Sequence, residues 1–161
     1  MKTNAEQTLL RLKDKAVYRR RPLSRRELTF VRDEMSRGRL RCRILASLIG
    51  LRRFGDTHKR NCLRHLCRSL RRVRKSNLWT MRYASEVVML LSGWGIRHEA
   101  LLASAVRALK SGDRDSKINA ASALSPYARR QHPVALTALK QFANDRDAAV
   151  RSNVLASLGT R

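Results

Sequence analysis

His58, Cys62, His65 and Cys67 are the residues of this chain whose types most readily do chemistry at close quarters. The first three stand at i, i+4 and i+7, which puts them on one side of a helix. Neither a CxxC nor an HxxxH pair is present, and a cation there would sit among arginines. Cys62 and Cys67 flank a stripe of leucines, so they are expected to be small buried side chains rather than ligands. No metal site is expected. The rest of the chain has no Gly-rich phosphate loop, no GxSxG and no HExxH. No catalytic residue, cofactor or small-molecule substrate is indicated, and the expectation is a protein that is not an enzyme.

A different pattern in the same segment carries more. In THKRNCLRHLCRSLRRVRKS, Leu63, Leu66, Leu70 and Val73 form one helical stripe. Arg60, Arg64, Arg68, Arg71 and Lys75 follow spacings of 4, 4, 3 and 4 and form a second stripe roughly opposite. Like charges at such spacings destabilise a helix by about 0.2–0.5 kcal/mol per pair. A solvated face ordinarily mixes signs, yet no Asp or Glu occurs from Thr57 through Ser85, while nine Lys or Arg do. Between Glu34 and Asp56 acids are again absent, and Arg39 and Arg43 stand one turn apart. The expected binding residues are therefore Arg39, Arg43, Arg60, Arg64, Arg68, Arg71 and Lys75. Trp79, Tyr83 and Trp94 have faces on which bases could stack. Their places at helix ends favour core or inter-repeat anchors instead.

The elements that must position these residues are helical. The chain has 161 residues, 36 of them Lys or Arg and 12 Asp or Glu, for a formal net charge of +24. Residues 1–80 hold 24 basic and six acidic residues, and residues 81–161 hold 12 and six. Such an excess attracts polyanions. Only three prolines and seven glycines interrupt the sequence, and no segment alternates with period two. Helices are expected over 4–19, from Ser24 to about Arg37, then 39–53, 57–74, 78–91, 98–110, 115–128, 133–143 and 146–158. Ser24 and Glu27 form a capping box. Short connections between helices imply antiparallel neighbours. One all-α domain over 1–161 is expected, highly basic in 1–80 and more regular in 81–161. No signal peptide is visible after Met1-Lys2, and the longest apolar run, 44–51, is too short to span a bilayer. With three cysteines and no disulfide-scaffold density, the expectation is a cytoplasmic protein.

LRCRILASLIG at 40–50 and VRSNVLASLG at 150–159 read almost alike. Related helix starts fall at Leu40-Arg41, Met81-Arg82, Ile118-Asn119 and Val150-Arg151, at separations of 41, 37 and 32 residues. The last two follow the turns Asp113-Arg114-Asp115 and Asp145-Arg146-Asp147. A shared turn, helix start and apolar spacing at such periods marks a helical solenoid. In these segments the chain resembles the HEAT-repeat family, whose second helix opens after an Asp-containing turn with Val-Arg and runs through Ala and Leu to Gly. NDRDAAVRSNVLASLG at 144–159 carries that pattern; SGDRDSKINAASALS at 111–125 carries it with Asn119 in place of Arg. The resemblance covers 97–161 and, in part, 38–96.

The resemblance implies a short α-solenoid of about four antiparallel helical pairs, in which Asp115, Asp147 and Arg151 tie the fold together. Such scaffolds most often dock proteins. The charge points instead to nucleic acid, DNA or RNA, held through its phosphates. The expected function is a non-enzymatic module binding nucleic acid. The alternative is an adaptor docking an acidic protein, for instance in a bacterial regulatory, toxin-related or secretion assembly. A branch of HEAT-like proteins acts as DNA glycosylases, and that activity stands third because its catalytic Asp and aromatic pocket do not map onto this chain.

Overall fold

The computed structural model describes residues 3–74 and 77–159. Among them are nine α-helices and no strand, so the protein is all-α. The helices are α1 (Asn4–Lys13), α2 (Arg25–Arg37), α3 (Leu40–Arg53), α4 (Asp56–Arg71), α5 (Leu78–Gly93), α6 (Glu99–Ser111), α7 (Arg114–Ala128), α8 (Pro133–Gln141) and α9 (Ala148–Leu158). Each expected helix is present within a few residues. The largest departures are that α1 continues as a π-helical segment, Asp14–Tyr18, and that α4 stops at Arg71 rather than at 74. No helix among the described residues is long and apolar enough to cross a membrane.

The starts follow from short polar side chains. Ser24 Oγ accepts from Glu27 N at 3.2 Å, and Glu27 Oε2 accepts from Ser24 N at 2.7 Å, the reciprocal box expected for α2. Asn77, Asp113 and Asp147 cap α5, α7 and α9 by accepting from first-turn N–H groups. The two Asp-Arg-Asp turns do not use the same aspartate: Asp113, the first of its pair, caps α7, and Asp147, the second of its pair, caps α9.

The chain divides into two compact units, Met1–Arg72 and Val73–Arg161. In the first, α3 touches α1, α2 and α4. Every residue from Ile44 to Leu51 is buried, which explains why that helix is apolar all round. Gly50 lies inside it, against α4: a Cβ there would come within 2.8 Å of Cys62 Sγ and 3.0 Å of the Phe54 ring. Gly159, its counterpart in the LASL echo, instead ends α9 in the left-handed conformation with φ 79°. The shared letters therefore serve a buried central helix in one copy and a helix end in the other.

In the second unit α7 is central and touches α5, α6, α8 and α9. Its fully buried face is small, with Ala120, Ala121 and Ala123, which lets the neighbouring backbones approach. Ser92 Oγ on α5 donates to Ala123 O at 2.7 Å, and Ser157 Oγ on α9 donates to Ala121 O at 3.0 Å. Ion pairs join successive helix starts. Arg82 of α5 pairs with Asp115, and Arg114 pairs with Asp147 at 3.0 Å. Lys117 pairs with Asp145 at 2.9 Å, and Arg151 donates to the carbonyls of Asp145 and Arg146 at 2.7 and 3.1 Å.

Most of these pairs are half-exposed and contribute little each. Lys117–Asp145 is the better-shielded one, with Asp145 only 11% exposed. The Lys117 ammonium beside it, with the Asp147 N–H, holds the Asp145 carboxyl below the usual carboxylate range. Because the folded state lowers this value, its contribution is complete above the unfolded value and is lost as pH falls through the folded one. The urea midpoint should therefore hold down to about pH 5 and decline below it. Asp145→Asn should lower the midpoint at neutral pH and flatten part of the acid decline. An unchanged pH profile in that variant would show that the tie contributes nothing.

Candidate nucleic-acid interface

The candidate interface lies in the first unit and is built on α4. Cys62, Leu66, Ser69 and Leu70 turn inward, with Cys62, Leu66 and Leu70 fully buried. Leu63, expected in the apolar stripe, is only half-buried, so the buried face is centred one residue earlier, on Cys62. Arg60, Arg64, Arg68 and Arg71 are all exposed along the opposite side. None of the four enters an ion pair among the described residues. Lys75 lies outside the described residues.

The helix itself does not call for this row. Arg68 and Arg71 stand in the last turn, where cations complement the macrodipole. Lys59 and Arg60 stand near the first turn, where acids are favoured. Three acids of the unit are committed to ion pairs elsewhere. Glu6 is buried and paired with Arg41 at 3.4 Å, Asp14 with Arg19 at 2.7 Å, and Glu27 with Lys15 at 2.8 Å. Lys15 and the Ser24 N–H hold the Glu27 carboxyl below its usual value, so it stays charged inside its own pair. Asp33 is exposed and Glu34 half-buried, and neither enters an ion pair among the described residues.

The α3 residues are less uniform. α3 and α4 pack together across the short connection Phe54-Gly55, which makes them antiparallel. The start of α3, with Arg39 and Arg43, therefore lies at the same end of the unit as the last turns of α4, with Arg68 and Arg71. Arg39 is exposed. Arg43 is half-buried, and its Nε is shielded from solvent without a hydrogen-bond partner, so it is the less available cation.

All three cysteines are buried and free. Burial pushes the Cys62 thiol up to about 11, and it raises Cys42 and Cys67 as well. A thiolate is the reactive form, so these groups are inert in the folded chain. A disulfide-exchange reagent at neutral pH should find no reactive thiol in the native protein and three after denaturation. Fast labelling of the native protein would contradict the burial described. Among the described residues no group of His, Cys, Asp and Glu is arranged to hold a metal ion.

The aromatic residues depart from expectation at one place. Trp79, where a core or inter-repeat anchor was expected, is 61% exposed at the first turn of α5, and Leu78 beside it is also exposed. Tyr83 and Trp94 are half-buried. Sequence offered a weak signal for this: Trp79 follows a long stretch without acids at a helix start, where nothing obliges a side chain to face inward. No protein-family model matches the chain, and neither curated proteins nor solved structures give a significant match.

Proposed function

We propose that this chain is a non-enzymatic, HEAT-like α-solenoid module that binds nucleic acid through its phosphates. One observation carries the binding: Arg60, Arg64, Arg68 and Arg71 form an exposed row on one helix, and none of them enters an ion pair among the described residues. Contacts of this kind are indifferent to sequence and sensitive to salt.

The solenoid reading rests on alternation. In the second unit α5, α7 and α9 touch in series, while α6 touches α8 on the other layer. In the first, α3 touches both α1 and α4, and α2 touches α4. The tie Arg82–Asp115 recurs as Arg114–Asp147, with both partners displaced by 32 residues. That displacement equals the spacing of the last two sequence repeats, as stacked units require.

Binding of mixed-sequence DNA and RNA over a salt series tests the function. Affinity should fall log-linearly with salt, and absence of binding at low salt overturns the reading. A second reading, an adaptor for an acidic protein, is favoured by one feature of the second unit. A groove of about 410 Å³ between α6 and α8 is lined by Leu102, Val106 and Val134, with Arg107 and Lys110 among its lining. A pull-down that recovers one acidic protein and survives nuclease treatment favours that reading.

A further inference from the structure

A separate cavity of about 500 Å³ opens in the second unit, lined by Arg97, His98, Glu99, Tyr127, Arg130 and His132. No sequence motif announces it, because its lining comes from the α5–α6 connection, the end of α7 and the α7–α8 connection. These segments are fixed. His98 N donates to Tyr127 Oη at 3.3 Å, which ties the two connections together. Arg130 N and His132 N both donate to Tyr127 O at 3.1 Å, and Gln131 between them turns through the left-handed region with φ 58°.

The lining is rich in donors. His98 Nδ1 accepts from Ala100 N at 3.1 Å, so the neutral ring carries its proton on Nε2. His132 Nδ1 is shielded from solvent without a partner, and the ring packs edge-on against Tyr127 at 6.0 Å. A proton on that nitrogen would be a buried unpaired donor, so this ring also keeps its proton on Nε2. The Tyr127 oxygen already accepts from His98, and burial pushes the phenol above its ordinary value, so its proton remains to be donated. Arg97 and Arg130 only donate.

Against the donor side chains of Arg97, Arg130, Tyr127 and His132 stands one carboxylate, Glu99. His98 caps α6, whereas His132 leaves the start of α8 without a side-chain cap, so one uncapped positive helix end stands beside the lining. The C-terminal end of α7 opposes it. The α8 start and the α7 end offset each other, and two guanidinium groups outweigh one carboxylate.

We propose that this cavity is a binding site for a phosphomonoester, whose dianion offers three terminal oxygens to these donors. The site is independent of the α4 row, and either can fail without the other.

The test is a titration of the full-length protein with inorganic phosphate and, separately, with adenosine monophosphate, at fixed pH and ionic strength. The imidazole signals of His58, His65, His98 and His132 are followed by NMR. Saturable shifts should appear at His98 and His132 and share one dissociation constant, whatever His58 and His65 on α4 report. Arg130→Gln should weaken binding about tenfold or more, since it removes a charge-assisted contact. Arg97→Gln serves the same purpose if the first variant fails to fold by circular dichroism. Equal affinity for the two probes assigns the site to the phosphoryl group alone, and tighter binding of the nucleotide assigns it to an ester whose organic part also fills the cavity. Absence of saturable shifts at His98 and His132, or unchanged shifts there in the folded variants, overturns the proposal.

Discussion

Arg64→Glu combined with Arg68→Glu should weaken binding to mixed-sequence DNA and RNA alike, by up to about 60-fold at ~0.1 M salt. The figure follows from counterion release. Each phosphate contact contributes a salt exponent of about 0.9 on duplex DNA, so at ~0.1 M salt two lost contacts remove nearly two decades relative to 1 M. The slope of log affinity against log salt should also fall by about 2. Both side chains are exposed on α4 and carry no internal ion pair, so the helical circular dichroism should be unchanged. That separation matters, because a variant that lost binding by unfolding would lose its helix signal too. Retained affinity with a wild-type salt slope would remove α4 from the interface. A loss confined to particular sequences would point to base contacts, which the row of arginines does not explain.

Gly50→Ala should destabilise the first unit even though alanine is the better helix former. The propensity gain is about 1 kcal/mol. Against it stands a Cβ placed 2.8 Å from Cys62 Sγ and 3.0 Å from the Phe54 ring. Neither neighbour yields easily: Cys62 is fully buried, and Arg32 covers the Phe54 ring at 5.5 Å. Overpacking of this kind costs about 1–3 kcal/mol, and a net loss of about 1 kcal/mol would lower the melting temperature by roughly 4–8 °C in a unit of this size. The double variant Gly50→Ala with Cys62→Ala removes the sulfur and should recover part of the loss. That recovery is a coupling between contacting residues, readable in a double-mutant cycle. A simple gain in stability from Gly50→Ala would mean that α3 and α4 do not approach as closely as described.

Much of this was legible in the sequence, for identifiable reasons. The helices were legible because their starts are local chemistry: Ser24 with Glu27, Asn77, Asp113 and Asp147 each satisfy N–H groups within a few residues. The exposed row on α4 was legible because a period of 3.6 maps spacing directly onto a face. What escaped depended on contacts between distant segments. The LASL echo suggested equivalent positions, but Ala46 is fully buried at the centre of its unit, whereas Leu155 and Ala156 are exposed on a terminal helix. The half-burial of Arg43 depends on what packs around the start of α3, which no local pattern records. Trp79 escaped through the opposite bias, since a large aromatic residue is assumed to be covered until a structure leaves it bare. The histidine–arginine cavity is the clearest case, for its two main contributors are about thirty residues apart and meet through a single tyrosine hydroxyl.

The three buried cysteines all belong to Met1–Arg72, and both tryptophans, Trp79 and Trp94, belong to Val73–Arg161. Each unit thus contains a native probe that the other lacks. Thiol modification times the opening of the first, while indole emission follows the surroundings of the second. A single denaturant series read by both signals distinguishes stepwise from concerted unfolding without introducing any label.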